Sequence, residues 1–342
     1  MEAIRNKLAE NFTGAAHTGG TQTFSLDEVP DLTGKVAVVT GGSEGIGYGC
    51  THTLLSKGIS KLFITSVRLE TGKDALEGLE DELGADARNR VVYIQNDQSD
   101  WVEAAKVASD IASQTDRIDI LINNAARGIM TRQLAETNGI DLHMAINHFG
   151  HEVITSHLLP TLKKTADAGH TVRIVNLSSN LHESTPSDVK FESVDELNKD
   201  YGPNAQYART KLANLLHAKY LDKHLHSEHP NILINATHPG IVDTAQTTDH
   251  VHEAYPTLGY GMSKVLKPFQ KSQFEGCVST MFAATKTENS GQYICPPCIV
   301  EKGSDKANDP ALAEQLMKLT REVIEQKTRP ESSAKGCPFN DA

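Results

Sequence analysis

The sequence predicts an α/β fold in which one mostly parallel sheet carries helices on both faces. Short runs of β-branched and apolar residues alternate along the chain with longer segments of helical periodicity, which is the order that a doubly wound sheet produces. The run VAVV at 36–39 is apolar at every position, as expected of a strand that is covered on both faces. With 342 residues and a hydrophobic content of 38%, the chain can form one large core.

About seven strands are expected, each a short run rich in β-branched or apolar residues. They lie at 35–40, 61–66, 91–95, 118–122, 171–177, 232–237 and 291–294. The predicted helices lie at 45–57, 70–83 and 101–115, in a long segment that ends before residue 165, and at 206–226 and 310–326. Since the sequence contains no internal repeat, we expect one domain over 34–305, an N-terminal extension over 1–33, and a C-terminal helix and tail over 306–342.

Charge and hydropathy exclude several classes of function. The net charge of −11, with no basic run to offset it, argues against nucleic-acid binding. No apolar stretch approaches the roughly 20 residues that span a bilayer. The first 33 residues lack the apolar region of a secretory signal, and they contain five acidic residues, whereas mitochondrial transit peptides are poor in acids. The sequence therefore predicts a cytoplasmic protein without a membrane span.

The cysteines and histidines do not form a pattern that indicates a metal site or a disulfide framework. The five cysteines are scattered, unlike a secreted disulfide framework. The CPPC sequence at 295–298 has the spacing of a redox pair or half a zinc site, but no second pair completes the coordination, and a simple turn after the last strand is favoured. His148 and His151 lie inside a predicted helix, and the cluster His224, His226 and His229 ends an exposed helix, where positive charge suits the helix dipole. No metal is expected.

A glycine-rich turn, TGGSEGIG at 40–47, lies between the first predicted strand and the first predicted helix. Its spacing is GxxxGxG, which differs from the common GxGxxG fingerprint of dinucleotide-binding proteins. The physical reason for the glycines is the same: they permit a tight turn and a close backbone approach, and the following helix directs its N-terminus at a pyrophosphate. The turn predicts a dinucleotide site.

Tyr207 and Lys211 are four residues apart in a predicted helix and therefore share one helix face. Such pairs are common by chance. Together with a dinucleotide turn, however, the pair suggests a phenol whose proton is controlled by a neighbouring ammonium group. This is the chemistry required to reduce a carbonyl or to oxidise an alcohol.

Further polar motifs follow the strand ends, at NNAA 123–126, Asn147, SS 178–179 and HPG 238–240. In this order, and with the two motifs above, they span about 270 residues and make the chain resemble the short-chain dehydrogenase/reductase family, which implies a Rossmann-type domain. The sequence NHFGH at 147–151 and the 28-residue spacing between Ser179 and Tyr207 are most similar to the retinol-dehydrogenase and WW-domain-oxidoreductase branch, including its filamentous-fungal members.

The resemblance implies catalytic roles for four residues. Tyr207 would be the acid/base, and the Lys211 ammonium would lower the phenol pKa from its ordinary value near 10. Ser179 would donate a hydrogen bond to the substrate oxygen, with Ser178 as the alternative serine. Asn147 would hold a water in a proton relay with Lys211, unless its amide only contacts a strand.

The same resemblance implies the residues that contact the cofactor. They are Gly41, Ser43, Glu44, Gly45, Ile46, Gly47, Ser66, Arg68, Asp97, Gln98, Asn124, Ala125, Ala126, Tyr207, Lys211, Pro239, Gly240, Val242 and Thr244. For Asp97 two interpretations are open, since it could meet the adenine edge or cap a turn.

The residues after the second predicted strand bear on the choice between NADP and NAD. Ser66-Val67-Arg68 lacks the acid that would bind both ribose hydroxyls of NAD, whereas Arg68 and Ser66 could bind a 2′-phosphate. A solvated arginine is the alternative, and Glu44 lies where several NADP-using relatives carry a base. The sequence favours NADP (NADPH), with NAD as the second choice.

The connection at 241–271 is about 30 residues long and rich in apolar side chains, far longer than most loops. It predicts a lid over a hydrophobic or aromatic carbonyl or alcohol, or else a part of the core or of a homodimer interface. We therefore expect an NADP-dependent carbonyl reductase or alcohol dehydrogenase that forms a homodimer. A non-catalytic dinucleotide sensor or scaffold is the alternative, although such proteins usually lack one of the reacting groups.

Overall fold

A computed structural model describes residues 24–240 and 272–332, and the strands in these two ranges form one sheet. Its order is β3-β2-β1-β4-β5-β6-β7-β8. The strands are β1 Val36–Thr40, β2 Lys61–Ser66, β3 Val91–Gln95, β4 Ile120–Asn123, β5 Val172–Leu177, β6 Ile232–Thr237, β7 Tyr293–Cys295 and β8 Ile299–Glu301. Strands β1 to β7 are parallel, and β8 pairs antiparallel with β7.

Seven longer helices connect or follow these strands in the described chain. They are α1 Gly45–Ser56, α2 Leu69–Leu83, α3 Trp101–Ser113, α4 Gly150–Asp167, α5 Pro203–Leu225, α6 Gln273–Thr285 and α7 Pro310–Ser332. Short helical turns lie at Ala85–Arg88, Leu142–Met144 and Val194–Leu197, and 3-10 turns at Leu26–Glu28, Asn180–Ser184 and Lys306–Asn308. A π-helical segment, Ala145–Phe149, leads directly into α4.

Alternate residues of the central strands, such as β1, enter two separate cores, one on each face of the sheet. Val38 packs with residues of α3, α4, α5 and α7, whereas Val39 packs with residues of α1, α2 and α6. Both valines are fully buried. This two-faced burial explains why the central strands are apolar at successive positions, and it confirms the predicted doubly wound fold.

The strand order reverses between β1 and its neighbours, since β1 pairs with β2 on one side and β4 on the other. Ligands of doubly wound sheets bind beyond the carboxyl ends of the strands at such a switch point. The glycine-rich turn follows β1, and Asn124 follows β4. The topology therefore brings together two motifs that are more than 75 residues apart in sequence.

The structure corrects several predicted elements. Helix α6 and strand β8 were not predicted, and the long helix α4 continues to Asp167. The fourth strand begins at Ile120 rather than at residue 118, because the backbone N–H of Ile118 donates to the side-chain hydroxyl of Thr165. The CPPC sequence forms the turn between β7 and β8, not a turn after the last strand.

The geometry of the CPPC turn bears on its possible chemistry. Cys295 packs into the core beside α5, whereas Cys298 packs into the core on the opposite face of the sheet. Both side chains are buried. In the described chain, no group of three or more His, Cys, Asp or Glu side chains is placed to bind a metal ion.

Both predicted extensions contribute to the cores. Phe24, Val29 and Leu32 lie in the core beside α1, and Leu316 and Ile324 of α7 lie in the core beside α5. None of the helices in the described ranges is both long enough and apolar enough to cross a membrane.

The contact between α2 and β3 gives a direct test of the packing. A Cβ atom added at Gly72 would lie 2.2 Å from Cζ of Tyr93, whose hydroxyl donates to the carbonyl of Arg68. We expect Gly72→Ala to displace this ring and to destabilise the fold by about 1–3 kcal/mol. Gly78→Ala is the matched control on the same helix, since its Cβ would meet only the Tyr48 hydroxyl, at 3.1 Å. Urea unfolding that gives equal stabilities for both variants would contradict this packing.

Candidate active site

A cavity of about 560 Å³ lies at the carboxyl ends of the central strands. Most of the residues predicted to bind cofactor or substrate line it. These are Gly41, Ser43, Glu44, Gly45, Ile46, Ser66, Arg68, Asp97, Gln98, Asn124, Ala125, Ala126, Ser178, Ser179, Tyr207, Lys211, Pro239 and Gly240. Sequence reasoning missed five further lining residues, which lie at or just beyond strand ends or in the π-helical segment: Thr65, Val67, Asn96, Ile146 and Leu177. Val242, Thr244 and the loop at 241–271 lie outside the described residues.

The glycine-rich turn is shaped for a close backbone approach. Gly41 and Gly45 have φ angles of 63° and 52°, which only glycine adopts readily. A Cβ atom at Gly47 would lie 2.0 Å from the carbonyl oxygen of Gly41, so Gly47 shapes the turn without lining the cavity. The buried Ser43 hydroxyl has no hydrogen-bond partner within the described residues. With the N-terminus of α1 beside it, the turn fits a phosphate group.

Thr40 fixes the wall on the β4 side of the cavity. Its hydroxyl oxygen accepts hydrogen bonds from the backbone N–H groups of Asn124, at 2.9 Å, and Ala125, at 3.1 Å. His151 Nε2 lies 2.9 Å from the same oxygen, and its Nδ1 lies 3.0 Å from the carbonyl of Asn147. Because a carbonyl can only accept, Nδ1 carries the proton and Nε2 accepts the Thr40 hydroxyl hydrogen. Burial lowers the pKa of His151 to about 3, so the ring is neutral and links Thr40 to the backbone of Asn147.

Helix α5 places Tyr207 and Lys211 on the opposite wall. Lys211 Nζ donates to the carbonyl of Leu177, at 3.1 Å, and lies 5.3 Å from the centroid of the Tyr207 ring. Burial lowers the pKa of Lys211 to about 8 and raises the pKa of Tyr207 above its ordinary value. This direction is opposite to the one expected for Tyr207, because loss of hydration disfavours the phenolate and the ammonium group is bonded to a backbone carbonyl.

The two adjacent serines have different surroundings. The Ser178 hydroxyl donates to the carbonyl of Lys211 at 2.7 Å, so it joins the end of β5 to α5. The Ser179 hydroxyl caps the 3-10 turn Asn180–Ser184 by accepting from the backbone N–H of Leu181, at 3.2 Å. The Ser178 hydroxyl is therefore hydrogen-bonded to the α5 backbone, whereas the Ser179 hydroxyl bonds within its own turn.

Asn147 differs from the other predicted catalytic residues, because it is absent from the residues of the described chain that line the cavity. Its side-chain oxygen accepts from the backbone N–H of Arg127 at 2.6 Å, and its amide nitrogen donates to the Arg127 carbonyl and the Thr210 hydroxyl, both at 3.0 Å. Both amide hydrogens are therefore used within the protein, and the side chain joins three segments around the site.

The residues after β3 form two local hydrogen-bonded units. One carboxylate oxygen of Asp97 accepts from the backbone N–H and the hydroxyl of Ser99, at 2.8 and 2.7 Å. Asp97 thus caps a turn, which is one of the two interpretations left open by the sequence. Asn96 Nδ2 donates to Gln98 Oε1 at 2.8 Å. This leaves Asn96 Oδ1 and Gln98 Nε2 without partners in the part of the chain that is described, and the pair offers one acceptor and one donor at this end of the site.

Arg68 and Glu44 form an ion pair at the edge of the cavity. Arg68 Nη2 lies 2.7 Å from Glu44 Oε1, and both side chains are more than half exposed, at 61% and 51%. The guanidinium that was predicted to bind a 2′-phosphate therefore already has a carboxylate partner. Any anion bound by Arg68 must compete with Glu44 or be repelled by it.

Comparisons with known proteins identify relatives of this chain in sequence and in fold. The sequence profile of the family described as short chain dehydrogenase matches residues 35–254. The oxidoreductase bli-4 of Neurospora crassa, named as mitochondrial, is 51% identical over 346 aligned positions, which cover 100% of this chain and 84% of that protein. Polyprenol dehydrogenase of Danio rerio is 30% identical and covers 79% of this chain and 80% of its own. The Pseudomonas aeruginosa RhlG/NADP active-site complex superposes with a TM-score of 0.59 at 25% identity, covering 77% of this chain and 95% of that one.

Because Lys211 is buried, its charge lowers the stability of the fold. Its folded-state pKa of about 8 lies below the ordinary 10.5, so the unfolded chain binds more protons between these values and stability rises with pH across this window. Below about pH 8, the buried ammonium group lowers the free energy of unfolding by about 3 kcal/mol. We expect Lys211→Met to increase the free energy of unfolding near pH 7, since Asn214 still donates to the Leu177 carbonyl. The gain should shrink as the pH rises towards 10. A variant that is less stable than wild type at neutral pH would contradict this.

Proposed function

Because this chain belongs to the short-chain dehydrogenase family, we propose that it is an NADP(H)-dependent enzyme that interconverts a hydrophobic or aromatic carbonyl compound and its alcohol by hydride transfer. Family membership makes the chain an oxidoreductase. The cofactor preference, the substrate class and the residue roles are our proposal. The observation that carries it is the convergence of Ser179, Tyr207 and Lys211 with the glycine-rich turn on one cavity.

The mechanism uses three side chains of the cavity wall. When bound, the dinucleotide would supply or accept the hydride. Tyr207 gives a proton to the carbonyl oxygen in the reductive direction and takes it from the alcohol in the other. Ser179 donates a hydrogen bond to the same oxygen. Lys211, whose pKa of about 8 keeps it mostly protonated near neutral pH, provides positive charge beside the phenolate that forms. The role of Asn147 in a proton relay stays a prediction.

Several features of the site support a phosphorylated dinucleotide. The Ser43 hydroxyl and the N-terminus of α1 suit the pyrophosphate. Arg68 suits a 2′-phosphate, which would have to replace Glu44 as the ion-pair partner of Arg68. The related RhlG structure is an NADP complex. In this proposal residues 34–305 form the catalytic domain.

The substrate is proposed to be apolar. Ile146 and Leu177 contribute apolar surface to the cavity. The segment 241–271, which is rich in apolar residues, follows the lining residue Gly240 directly in the sequence. A Danio rerio relative is named polyprenol dehydrogenase, and a polyprenol is an apolar alcohol. The homodimer and the cytoplasmic location stay predictions, and the name of the Neurospora crassa relative gives mitochondria as the other compartment. A non-catalytic role is disfavoured, since every proposed reacting group is present.

We expect Tyr207→Phe to lower turnover by about two or more decades while the affinity for NADPH stays nearly unchanged. Tyr201→Phe is the matched control, because Tyr201 lies against Lys199 and Arg209 and is not among the cavity residues. The measurement is NADPH oxidation with a panel of bulky aromatic aldehydes and ketones. Wild-type turnover in the Tyr207 variant would remove Tyr207 from the proposed proton transfer.

We expect Arg68→Ala to weaken NADPH by about 1.5–3 kcal/mol more than NADH, because a charge-assisted contact is lost. Glu44→Gln tests the ion pair from the other side. It frees Arg68 and removes a carboxylate, so NADPH should bind more tightly relative to NADH. Fluorescence titrations with both cofactors measure these differences. Equal losses for the two cofactors in the Arg68 variant, or a wild type that prefers NADH, would contradict the NADP assignment.

A further inference from the structure

His182 lies in the 3-10 turn that follows Ser179, and none of the roles described above uses it. Its side chain is 1% exposed. Nδ1 lies 2.7 Å from the carbonyl oxygen of Ser179, and Nε2 lies 3.0 Å from the backbone nitrogen of Ser304. We propose that His182 is a positioning residue that holds the Ser179 hydroxyl in its reactive place by fastening the Ser179 backbone to the segment between β8 and α7.

The two backbone partners fix the protonation of the ring. The N–H of Ser304 can only donate, so Nε2 must be an acceptor. The carbonyl of Ser179 can only accept, so the single proton of the neutral ring is on Nδ1. His182 therefore bridges two backbone groups that are 125 positions apart in sequence, as a donor at one end and an acceptor at the other.

The surroundings prevent the ring from taking another orientation. Tyr293 packs edge-on against it, with ring centroids 5.2 Å apart and an interplanar angle of 84°. Gly303, with φ of 71°, lets the backbone come so close that an added Cβ atom would lie 3.1 Å from Nε2. The bridge is thus enclosed by β7 and by the segment that leads to α7.

The carbonyl of Ser179 accepts two hydrogen bonds from the same residue, one from Nδ1 and one, at 3.0 Å, from the backbone N–H of His182. Ser179 is also the N-cap of this turn, and its own hydroxyl accepts from Leu181. Loss of the Nδ1 bond would loosen the turn and let the hydroxyl move. A misplacement of about 1 Å in a reacting group can lower the rate by up to about 100-fold.

Two substitutions separate the two ends of the bridge. In His182→Asn the amide nitrogen takes the place of Nδ1 and can still donate to Ser179. In His182→Gln the amide oxygen takes the place of Nε2 and can still accept from Ser304, but no side-chain donor faces Ser179, and only the backbone N–H of residue 182 still donates to its carbonyl. Both changes remove the imidazole and its contact with Tyr293, so a purely structural role predicts similar effects from the two.

This proposal rests on the proposed function, because it assumes that Ser179 contacts the substrate oxygen. We expect His182→Gln to lower kcat at least roughly tenfold with KM for the carbonyl and the Kd for NADPH little changed, and His182→Asn to retain kcat within about threefold. Hydrogen exchange of the 180–184 amides, measured by mass spectrometry, gives a readout independent of any substrate. Exchange should accelerate in the glutamine variant and stay near wild type in the asparagine variant.

Equal kcat losses with equally fast exchange in the two variants, or wild-type behaviour of the glutamine variant, would overturn the proposal. Ser179→Ala, assayed in parallel, distinguishes its failure from failure of the proposed function: full activity in the alanine variant would remove Ser179 from catalysis altogether. If the histidine variants do not fold, Gly303→Ala replaces them, because its methyl carbon would lie 3.1 Å from Nε2 and the intact ring would have to shift by a few tenths of an ångström. Unchanged kcat and exchange in that variant would equally overturn the proposal.

Discussion

The site depends on a reciprocal set of hydrogen bonds that docks helix α5 on the end of strand β5. Lys211 Nζ and Asn214 Nδ2 both donate to the carbonyl of Leu177, and the Ser178 hydroxyl donates back to the carbonyl of Lys211. The two neutral bonds contribute about 1 kcal/mol each, whereas the charge-assisted bond of Lys211, at about 1.5–3 kcal/mol, only partly offsets the cost of burying its ammonium group. This docking fixes the distance between Tyr207 on the helix and Ser179 beyond the strand. The fold thus sets the geometry of the proposed reaction before any ligand binds.

A buried ion pair anchors the start of the same helix. Arg209 lies between Tyr207 and Lys211 in sequence, but its side chain is directed into the protein, where Nη2 is 3.2 Å from Asp141. Asp141 also accepts from Gln206 at 2.7 Å and caps the helical turn that leads to Asn147. Removing one partner of such a pair leaves an uncompensated buried charge. The helix is therefore held at both ends of the catalytic stretch, and Asn147 belongs to this framework through its bonds to Arg127 and Thr210.

The sequence predicted the features that local patterns encode. Apolar runs located the seven parallel strands, and glycine spacing located the turn in which Gly47 must lack a side chain. It did not predict β8, which has only three residues and an exposed Val300, nor the bridges made by His151 and His182. Each ring has one partner within four residues and one more than 100 residues away, and an isolated histidine carries no pattern that reveals the distant one. In this structure burial raises the pKa of Tyr207, whereas a helix-face argument places the ammonium group near the phenol but does not include the cost of burial.

In the proposed reaction a hydride passes, within this cavity, between a dinucleotide and the carbonyl carbon of an apolar substrate. The most direct test is to incubate the wild-type protein with NADPH carrying deuterium at C4 of the nicotinamide, in separate samples for each face, and a panel of bulky aromatic aldehydes and ketones. Mass spectrometry then locates the label. We expect an alcohol with one deuterium on the carbinol carbon from one labelled face only. Unlabelled products from both cofactors, or no alcohol from any carbonyl, would contradict it.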